Sequence, residues 1–230
     1  MSATRQIDSS RSQTLDRGLS ALAIIATSKT PLTIHEVATH LGLGRSVTYR
    51  IIRTLEDHRL VTRDATGRLT GGTQLVALAG GVKNDMQAAA APILATLANL
   101  LGMTAFLVVS DGNAAVTVLV VEPMSTAAHV AYRPGTRHPL DRGAPGIALL
   151  AGDAPRASER VEVSEARTSG WAYSESEVIE GMASIAAPVT TPDGATQAAV
   201  AIVHLVAGMD SKYVAPHVVE AARCLGIDLA

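Results

Sequence analysis

The sequence predicts an α+β protein with two parts, an N-terminal winged helix-turn-helix domain and a larger domain that combines helices with an antiparallel sheet. Two short helical segments joined by a glycine turn, with a glycine hairpin after them, indicate the first part. Apolar strand-like segments interspersed with helical ones indicate the second. The chain has 230 residues, 47% of them hydrophobic, which is enough for two separate cores. We expect a flexible tail over residues 1–13, the winged domain over 14–72, a linker and dimerisation helix over 73–91, and the second domain over 92–230.

The first helix is predicted to begin at Thr14, because threonine commonly caps helix N-termini. Apolar side chains then recur at helical spacing, at Leu15, Leu19, Leu22 and Ile25. The pattern stops before Pro31, so this helix is expected to end there.

A helix-turn-helix motif follows the first helix. Thr33 and Glu36 have the spacing of a capping box, in which each side chain bonds the backbone amide of the other residue. Gly42 is expected to end the second helix in a left-handed conformation, and a third helix is predicted over residues 45–58. Residues 62–69 then predict two short strands around a glycine turn, which form the wing.

The rest of the sequence predicts a linker and the second domain. An alanine-rich helix over 73–91, which Gly80-Gly81 can bend, connects the two domains. The uncharged run 88–109 raises the question of a membrane span, but Pro92 and Gly102 interrupt it, so we interpret it as a buried helix followed by a strand. Strands are predicted over 104–110, 116–122, 128–133, 184–189 and 198–206, and helices over 93–101, 144–150 and 213–225.

The third helix has a polar face that suits duplex DNA. Its apolar side is predicted to carry Thr48, Ile51, Ile52 and Leu55. The opposite side carries arginines and hydroxyl groups, which can bond base edges and phosphates in a major groove. Together with the flanking residues and the wing, the predicted DNA contacts are Arg45, Ser46, Val47, Tyr49, Arg50, Arg53, Arg63 and Arg68.

Charge and context favour DNA binding over the alternative of a solvated basic surface. Residues 1–80 contain ten Lys and Arg against six Asp and Glu, a net charge of +4, whereas residues 81–230 contain nine against fifteen, a net charge of −6. A basic end on an acidic body is what duplex binding by that end requires. An isolated basic helix is more often only a solvated surface, but the capping box, the turn and the wing favour recognition.

Composition and motifs argue against several other classes of function. Aromatic residues make up 3% of the chain, which disfavours a stacking platform for single-stranded nucleic acid. The single cysteine, Cys224, cannot form an intrachain disulfide, and residues 1–8 lack the apolar core of a secretory signal. We therefore expect a cytoplasmic protein that does not associate with membranes.

The motifs of common enzymes are incomplete in this sequence. His35 and His40 resemble the pair of a zinc protease with one residue too many between them, which puts them about 140° apart on a helix. Gly42-Leu43-Gly44 lacks the third glycine of a dinucleotide motif and follows a helix. We expect no catalytic residue, metal site or cofactor, and keep two alternatives: a small-molecule hydrolase or transferase, and a winged helix that binds protein.

Three segments resemble the IclR family of transcriptional regulators. They are Leu15-Asp16-Arg17-Gly18-Leu19, Leu41-Gly42-Leu43-Gly44-Arg45-Ser46-Val47-Thr48-Tyr49-Arg50, and the region from Gly170-Trp171-Ala172-Tyr173 to Ala186-Ala187-Pro188-Val189. The resemblance extends from Thr14 to Leu225. It implies a repressor or activator with a winged helix-turn-helix domain and a GAF-like domain that senses a small organic effector. It also implies homodimers or homotetramers that bind pseudo-palindromic operators.

The chain departs from the family pattern in the effector pocket. Members often have cysteine and aspartate there, at positions that match Ser184 and Ser174, and Ala201 and Val203 replace serines of the last central strand. The histidine-alanine-threonine that commonly precedes a helix is replaced by the segment 141–146, which reads Asp-Arg-Gly-Ala-Pro-Gly.

The physical function of that helix N-terminus is retained in part, because its free amides can bind a carboxylate. We expect amide donors at Gly143, Ala144 and Gly146, with Met103 or Trp171 as apolar walls. The less polar lining would leave the charge of a buried small dicarboxylate poorly compensated. The expected effector therefore has an apolar or aromatic body and at most one anionic group.

Overall fold

The computed structural model describes residues 12–80, 84–126, 130–206 and 210–229, and the chain divides into two compact units, residues 1–82 and 83–230. Most of the tail predicted over 1–13 lies outside the described residues. The first unit contains, in order, α1 (Gln13–Thr27), α2 (Ile34–Leu41), α3 (Arg45–Asp57), β1 (Val61–Arg63), β2 (Leu69–Gly71) and α4 (Gln74–Ala79).

The N-cap of the first helix lies two residues before the predicted one. Ser12, in extended conformation, is the N-cap, and its hydroxyl accepts from the Leu15 amide at 3.4 Å. The assignment of Thr14 as the cap is wrong because Thr14 already lies within the first helical turn. The helix buries Ala21 and Ile25, whereas Leu15 and Leu19 are exposed.

The predicted helix-turn-helix is confirmed. The Glu36 amide donates to Thr33 Oγ1 at 3.2 Å and the Thr33 amide donates to Glu36 Oε2 at 2.6 Å, so the capping box is complete. Gly42 ends α2 with a φ of 63°, a left-handed conformation that glycine adopts without steric cost. The predicted apolar side of α3 is buried, with Ile52 fully inaccessible.

The wing is confirmed as an antiparallel pair in which Val61 lies opposite Gly71. Leu69 anchors it by entering the core of the first unit. The linker prediction is wrong in one respect, because a single helix does not cover 73–91. Helix α4 ends at Ala79 with Gly80 as its C-cap, and the next helix begins at Asn84, while Gly81 lies outside the described residues.

The second unit contains a six-stranded antiparallel sheet in the order β5-β4-β3-β8-β7-β6, which confirms the α+β prediction. Its elements are α5 (Asn84–Leu101), β3 (Thr104–Asp111), β4 (Ala114–Val121), β5 (Arg137–Pro139), α6 (Gly143–Gly152), α7 (Val161–Ser169), β6 (Ala172–Glu175), β7 (Met182–Thr190), β8 (Thr196–Leu205) and α8 (Ser211–Asp228). The run 88–109 is a helix followed by a strand, as predicted. The helices of the described part of the chain include none that is long and apolar enough to cross a membrane.

Helices cover the two faces of this sheet separately. Ala105, Leu107 and Ile202 point to the face that packs against α5 and α8, which we call the α5–α8 face. Phe106 and Val203 point to the opposite side, which packs against α6 and α7 and which we call the α6–α7 face. Successive side chains of a strand point to opposite faces, so each central strand contributes to both cores.

The strand predicted over 128–133 is not observed where the structure describes it. Residues 128 and 129 lie outside the described residues, and 130–133 are irregular. The edge of β4 is instead occupied by a turn, in which the Gly135 amide donates to the Thr117 carbonyl at 2.8 Å and the Thr117 amide donates to Thr136 at 3.0 Å. Strand β5 therefore forms only after this turn. The short elements β5, β6 and α7 were not predicted.

We expect Ile52→Ala to lower the free energy of unfolding by about 2–5 kcal/mol, because it leaves a cavity in the core of the first unit. Urea unfolding of the full chain, followed by far-ultraviolet circular dichroism, measures this loss. The control is Thr54→Ala, at an exposed position of the same helix, which should stay within about 0.5 kcal/mol of wild type. Equal unfolding midpoints for Ile52→Ala and Thr54→Ala would contradict the packing of α3.

Candidate nucleic-acid interface and effector cavity

The outward face of α3 carries three arginines. Arg45, Arg50 and Arg53 are exposed, and their side chains make no hydrogen bond or ion pair with any residue that the structure describes. Tyr49 and Val47, 47% and 40% exposed, lie on the same helix, as does the exposed Ser46. The structure therefore brings the six predicted positions of α3 together on an accessible surface.

The two wing arginines differ from those of α3, because both have partners within the first unit. Arg63 donates from Nε to Glu56 Oε1 at 2.6 Å and from Nη1 to the Gly67 carbonyl at 3.3 Å. Arg68 donates from Nη1 to the Pro31 carbonyl at 2.9 Å, and the same nitrogen lies 3.6 Å from Glu36 Oε2. These pairs attach the wing to the helices of the same unit.

A small cavity of about 30 Å³ lies on the α6–α7 face of the second unit, which is room for about one water molecule. Most of its lining is apolar, and its polar groups come from two serines, a histidine, a tyrosine and a glutamate. The lining residues are Phe106, Tyr132, His138, Pro145, Ser174, Glu177, Val178, Ile179, Met182, Ala183, Ser184 and Val203.

Three of the predicted effector residues meet in this cavity because of strand register. Ser174 lies opposite Ser184, which lies opposite Val203, so the three positions form a row across β6, β7 and β8. The two hydroxyl oxygens are 3.1 Å apart. The serines are thus hydrogen-bonded to each other at one edge of a mostly apolar cavity.

The first two amides of α6 are already occupied by side chains. The Gly143 amide donates to Glu177 Oε2 at 2.7 Å, and the Ala144 amide donates to Ser174 Oγ at 2.7 Å. Gly146 has a packing role, since a Cβ atom at that position would lie 2.3 Å from the Leu140 carbonyl oxygen. Two of the three expected amide donors therefore already have acceptors within the protein, Glu177 for Gly143 and Ser174 for Ala144.

The expected apolar walls are not at the cavity. Met103 belongs to the core on the α5–α8 face, and Trp171 packs against the same core. Neither lines the cavity, because the sheet separates that core from the α6–α7 face. Ala201 is on the correct face but is fully buried opposite Phe106, so it lies beneath the cavity and does not line it.

Several lining residues were missed by the sequence analysis. Phe106 contacts Tyr132, with ring centroids 4.6 Å apart, and strand alternation could have assigned Phe106 to this face. Burial raises the pKa of Tyr132. His138 is 7% exposed, and its Nδ1 lies 3.0 Å from the Pro139 carbonyl, while its Nε2 has no hydrogen-bond partner among the described residues. No sequence motif marked His138.

Arg160 was also missed, although it organises the edge of the cavity. Its Nη2 lies 2.8 Å from Glu177 Oε1, and its Nη1 donates to Glu177 Oε2 at 3.2 Å and to the Asp141 carbonyl at 2.6 Å. This guanidinium holds the pKa of Glu177 below its usual range. Among the residues that the structure describes, no cluster of three His, Cys, Asp or Glu side chains could hold a metal ion.

Comparisons with known proteins agree with both units. Residues 14–65 match the IclR helix-turn-helix domain, and residues 158–228 match the bacterial transcriptional regulator IclR C-terminal domain. The glycerol operon regulatory protein of Streptomyces griseus is 30% identical over 209 residues, which cover 77% of this chain and 78% of that protein.

Solved structures share the fold. An IclR transcriptional regulator from Alicyclobacillus acidocaldarius matches with a TM-score of 0.79 at 21% identity, covering 94% of this chain and 98% of that one. An IclR homologue from Microbacterium hydrocarbonoxydans, solved in complex with 4-hydroxybenzoate, matches with a TM-score of 0.79 at 20% identity, covering 94% and 99%. The chain therefore belongs to the IclR family of DNA-binding transcriptional regulators.

Proposed function

We propose that this protein acts in the cytoplasm as a ligand-responsive regulator that inserts α3 into the major groove of a pseudo-palindromic operator and has no catalytic activity. The observation that carries the proposal is the exposed face of α3, where Arg45, Arg50 and Arg53 have no partner among the described residues. Free guanidinium groups beside hydroxyl groups suit guanine edges and phosphates. The buried opposite face holds the helix in position.

The wing arginines have a secondary role in this proposal. Arg63 and Arg68 would contact phosphates, but each must share or exchange its present carboxylate partner to do so. Their contributions to affinity are therefore smaller than those of the α3 arginines. They keep the wing at a fixed position beside the helices, which reduces the entropy lost on binding.

The effector site is the cavity on the α6–α7 face. Its lining combines an apolar body with a few polar groups, the usual composition of a small-molecule site. The effector class we propose is a small organic acid with one carboxylate and an apolar or aromatic body. The Microbacterium homologue, which was solved with 4-hydroxybenzoate, supports this class.

The functional unit is a homodimer or a pair of homodimers, in which effector binding changes the arrangement of two DNA-binding units. Helix α4 supports this proposal, because Val76 and Leu78 are 77% and 57% exposed. Large apolar side chains that a short helix leaves exposed mark a candidate subunit contact. Two DNA-binding units related by two-fold symmetry then require two half-sites in the operator.

Arg50→Ala and Arg53→Ala are each expected to weaken specific operator binding by about 1–3 kcal/mol at constant salt, because each removes a base or phosphate contact. Electrophoretic mobility shift with DNA from upstream of the protein's own gene measures the loss. Arg133→Ala, which removes an exposed arginine from the second unit, is the matched control and should bind as wild type does. If both α3 variants bind with wild-type affinity, α3 is not the recognition helix.

Replacing Val76 and Leu78 together with glutamate is expected to dissociate the oligomer at micromolar concentration, because the charges cannot be buried without partners. Light scattering measures the mass, and footprinting should lose the two-half-site pattern. Met124→Glu, at another highly exposed apolar position, is the control and should remain oligomeric. A wild-type monomer with a single half-site footprint would refute the dimer.

A further inference from the structure

The cavity on the α6–α7 face is too small for an organic effector in its present form, since it holds about one water molecule. One wall must therefore move when an effector binds. The walls contributed by β3, β7, β8 and α6 belong to the buried core, with Phe106 and Ala183 nearly inaccessible. Moving them would disrupt the packing of the sheet. Tyr132, His138 and Ser174 contribute further lining, but each of them is buried or half-buried.

The most exposed wall is the connection between β6 and β7, residues 176–181, which we call the cover segment. Val178 and Ile179 line the cavity with part of their surface but are 41% and 39% exposed. Ser176, at the beginning of the segment, has a φ of 55°, a conformation unfavourable for residues other than glycine. The cover segment is thus the wall with the least buried contact.

Glu177 attaches the cover segment to the rest of the unit. Its carboxylate accepts from the Gly143 amide at 2.7 Å and from both terminal nitrogens of Arg160, at 2.8 and 3.2 Å. These are charge-assisted hydrogen bonds, the strong class of such contacts. An anion is therefore already bound at the N-terminus of α6, and it comes from the protein itself.

Movement of the cover segment would leave these donors without their anion. Arg160 would stay in place, because it also donates to the Asp141 carbonyl at 2.6 Å and pairs with Glu162 at 3.0 Å. The Gly143 amide is buried and would lose its acceptor. A ligand that restores both interactions needs one carboxylate at this position.

We propose that Glu177 is an internal substitute for the effector's carboxylate, and that an acid effector binds by exchange with it, taking over the Gly143 amide and Arg160. This inference rests on the proposed function, since it assigns the effector to this cavity. Arg160 becomes an effector-binding residue, and Glu177 sets the effector concentration that is needed. The site is closed by its own carboxylate when effector is absent.

His138 adds a polar group to the same cavity. Its ring lines the cavity and is 7% exposed, and its Nδ1 lies 3.0 Å from the Pro139 carbonyl. A polar group on the effector body would have Nε2 within the same lining to bond.

The test compares benzoate with benzamide, which has the same shape without the charge. Calorimetric titration of Glu177→Gln should give a benzoate affinity about tenfold higher than that of wild type, because glutamine competes poorly for Arg160. The benzamide affinity of Glu177→Gln should stay within about threefold of the wild-type value. Glu180→Gln removes an exposed carboxylate of the same cover segment and should behave as wild type. Adding Arg160→Gln to Glu177→Gln should abolish the gain for benzoate.

Three results would overturn the exchange. They are an unchanged benzoate affinity in Glu177→Gln, an equal gain for benzamide, and no benzoate binding by Glu177→Gln at about 10 mM. Thermal melting followed by circular dichroism checks that each variant folds. If the variant with Arg160→Gln does not fold, Arg160→Lys replaces it in the test. Titrations without DNA separate this inference from operator binding. Absence of operator binding alone refutes the DNA-binding proposal, whereas a benzoate affinity that is the same with and without Glu177 refutes only the exchange.

Discussion

Side-chain alternation along β3, β7 and β8 is the constraint on which the second unit depends. These strands are covered on both sides, so consecutive residues enter different cores, with Leu107 facing α5 and α8 and Phe106 facing α6 and α7. The antiparallel register then aligns Ser174, Ser184 and Val203 on the face of α6. A slip of one residue would bury the serines against α5 and α8 and remove the polar edge of the cavity.

In the first unit, the two sides of α3 have different roles. The buried side of α3 holds the helix against α1 and α2, and the outward side keeps several like charges close together without partners among the described residues. That arrangement stabilises nothing in the free protein, because like charges on one helix face repel each other. It becomes favourable only beside an anionic polymer. The wing, whose arginines are neutralised internally, can be positioned without adding to this repulsion.

Prediction from the sequence succeeded where local chemistry decides the structure and failed where distant residues do. The capping box and Gly42 were predictable because their interactions span three or four residues. The strand prediction over 128–133 was wrong because the turn at Gly135 takes the backbone hydrogen bonds at the edge of β4. The row of serines was found by family resemblance, but Glu177 and Arg160, seventeen residues apart in sequence, meet only through the packing of α7 and the β6–β7 connection.

The position of Trp171 has a consequence for spectroscopy. It is the single tryptophan of the chain, and it packs on the α5–α8 face, across the sheet from the cavity on the α6–α7 face. A ligand in that cavity would not contact the indole. A shift in the emission wavelength of Trp171 on ligand addition would therefore report a change in the packing of the opposite core, transmitted through the sheet.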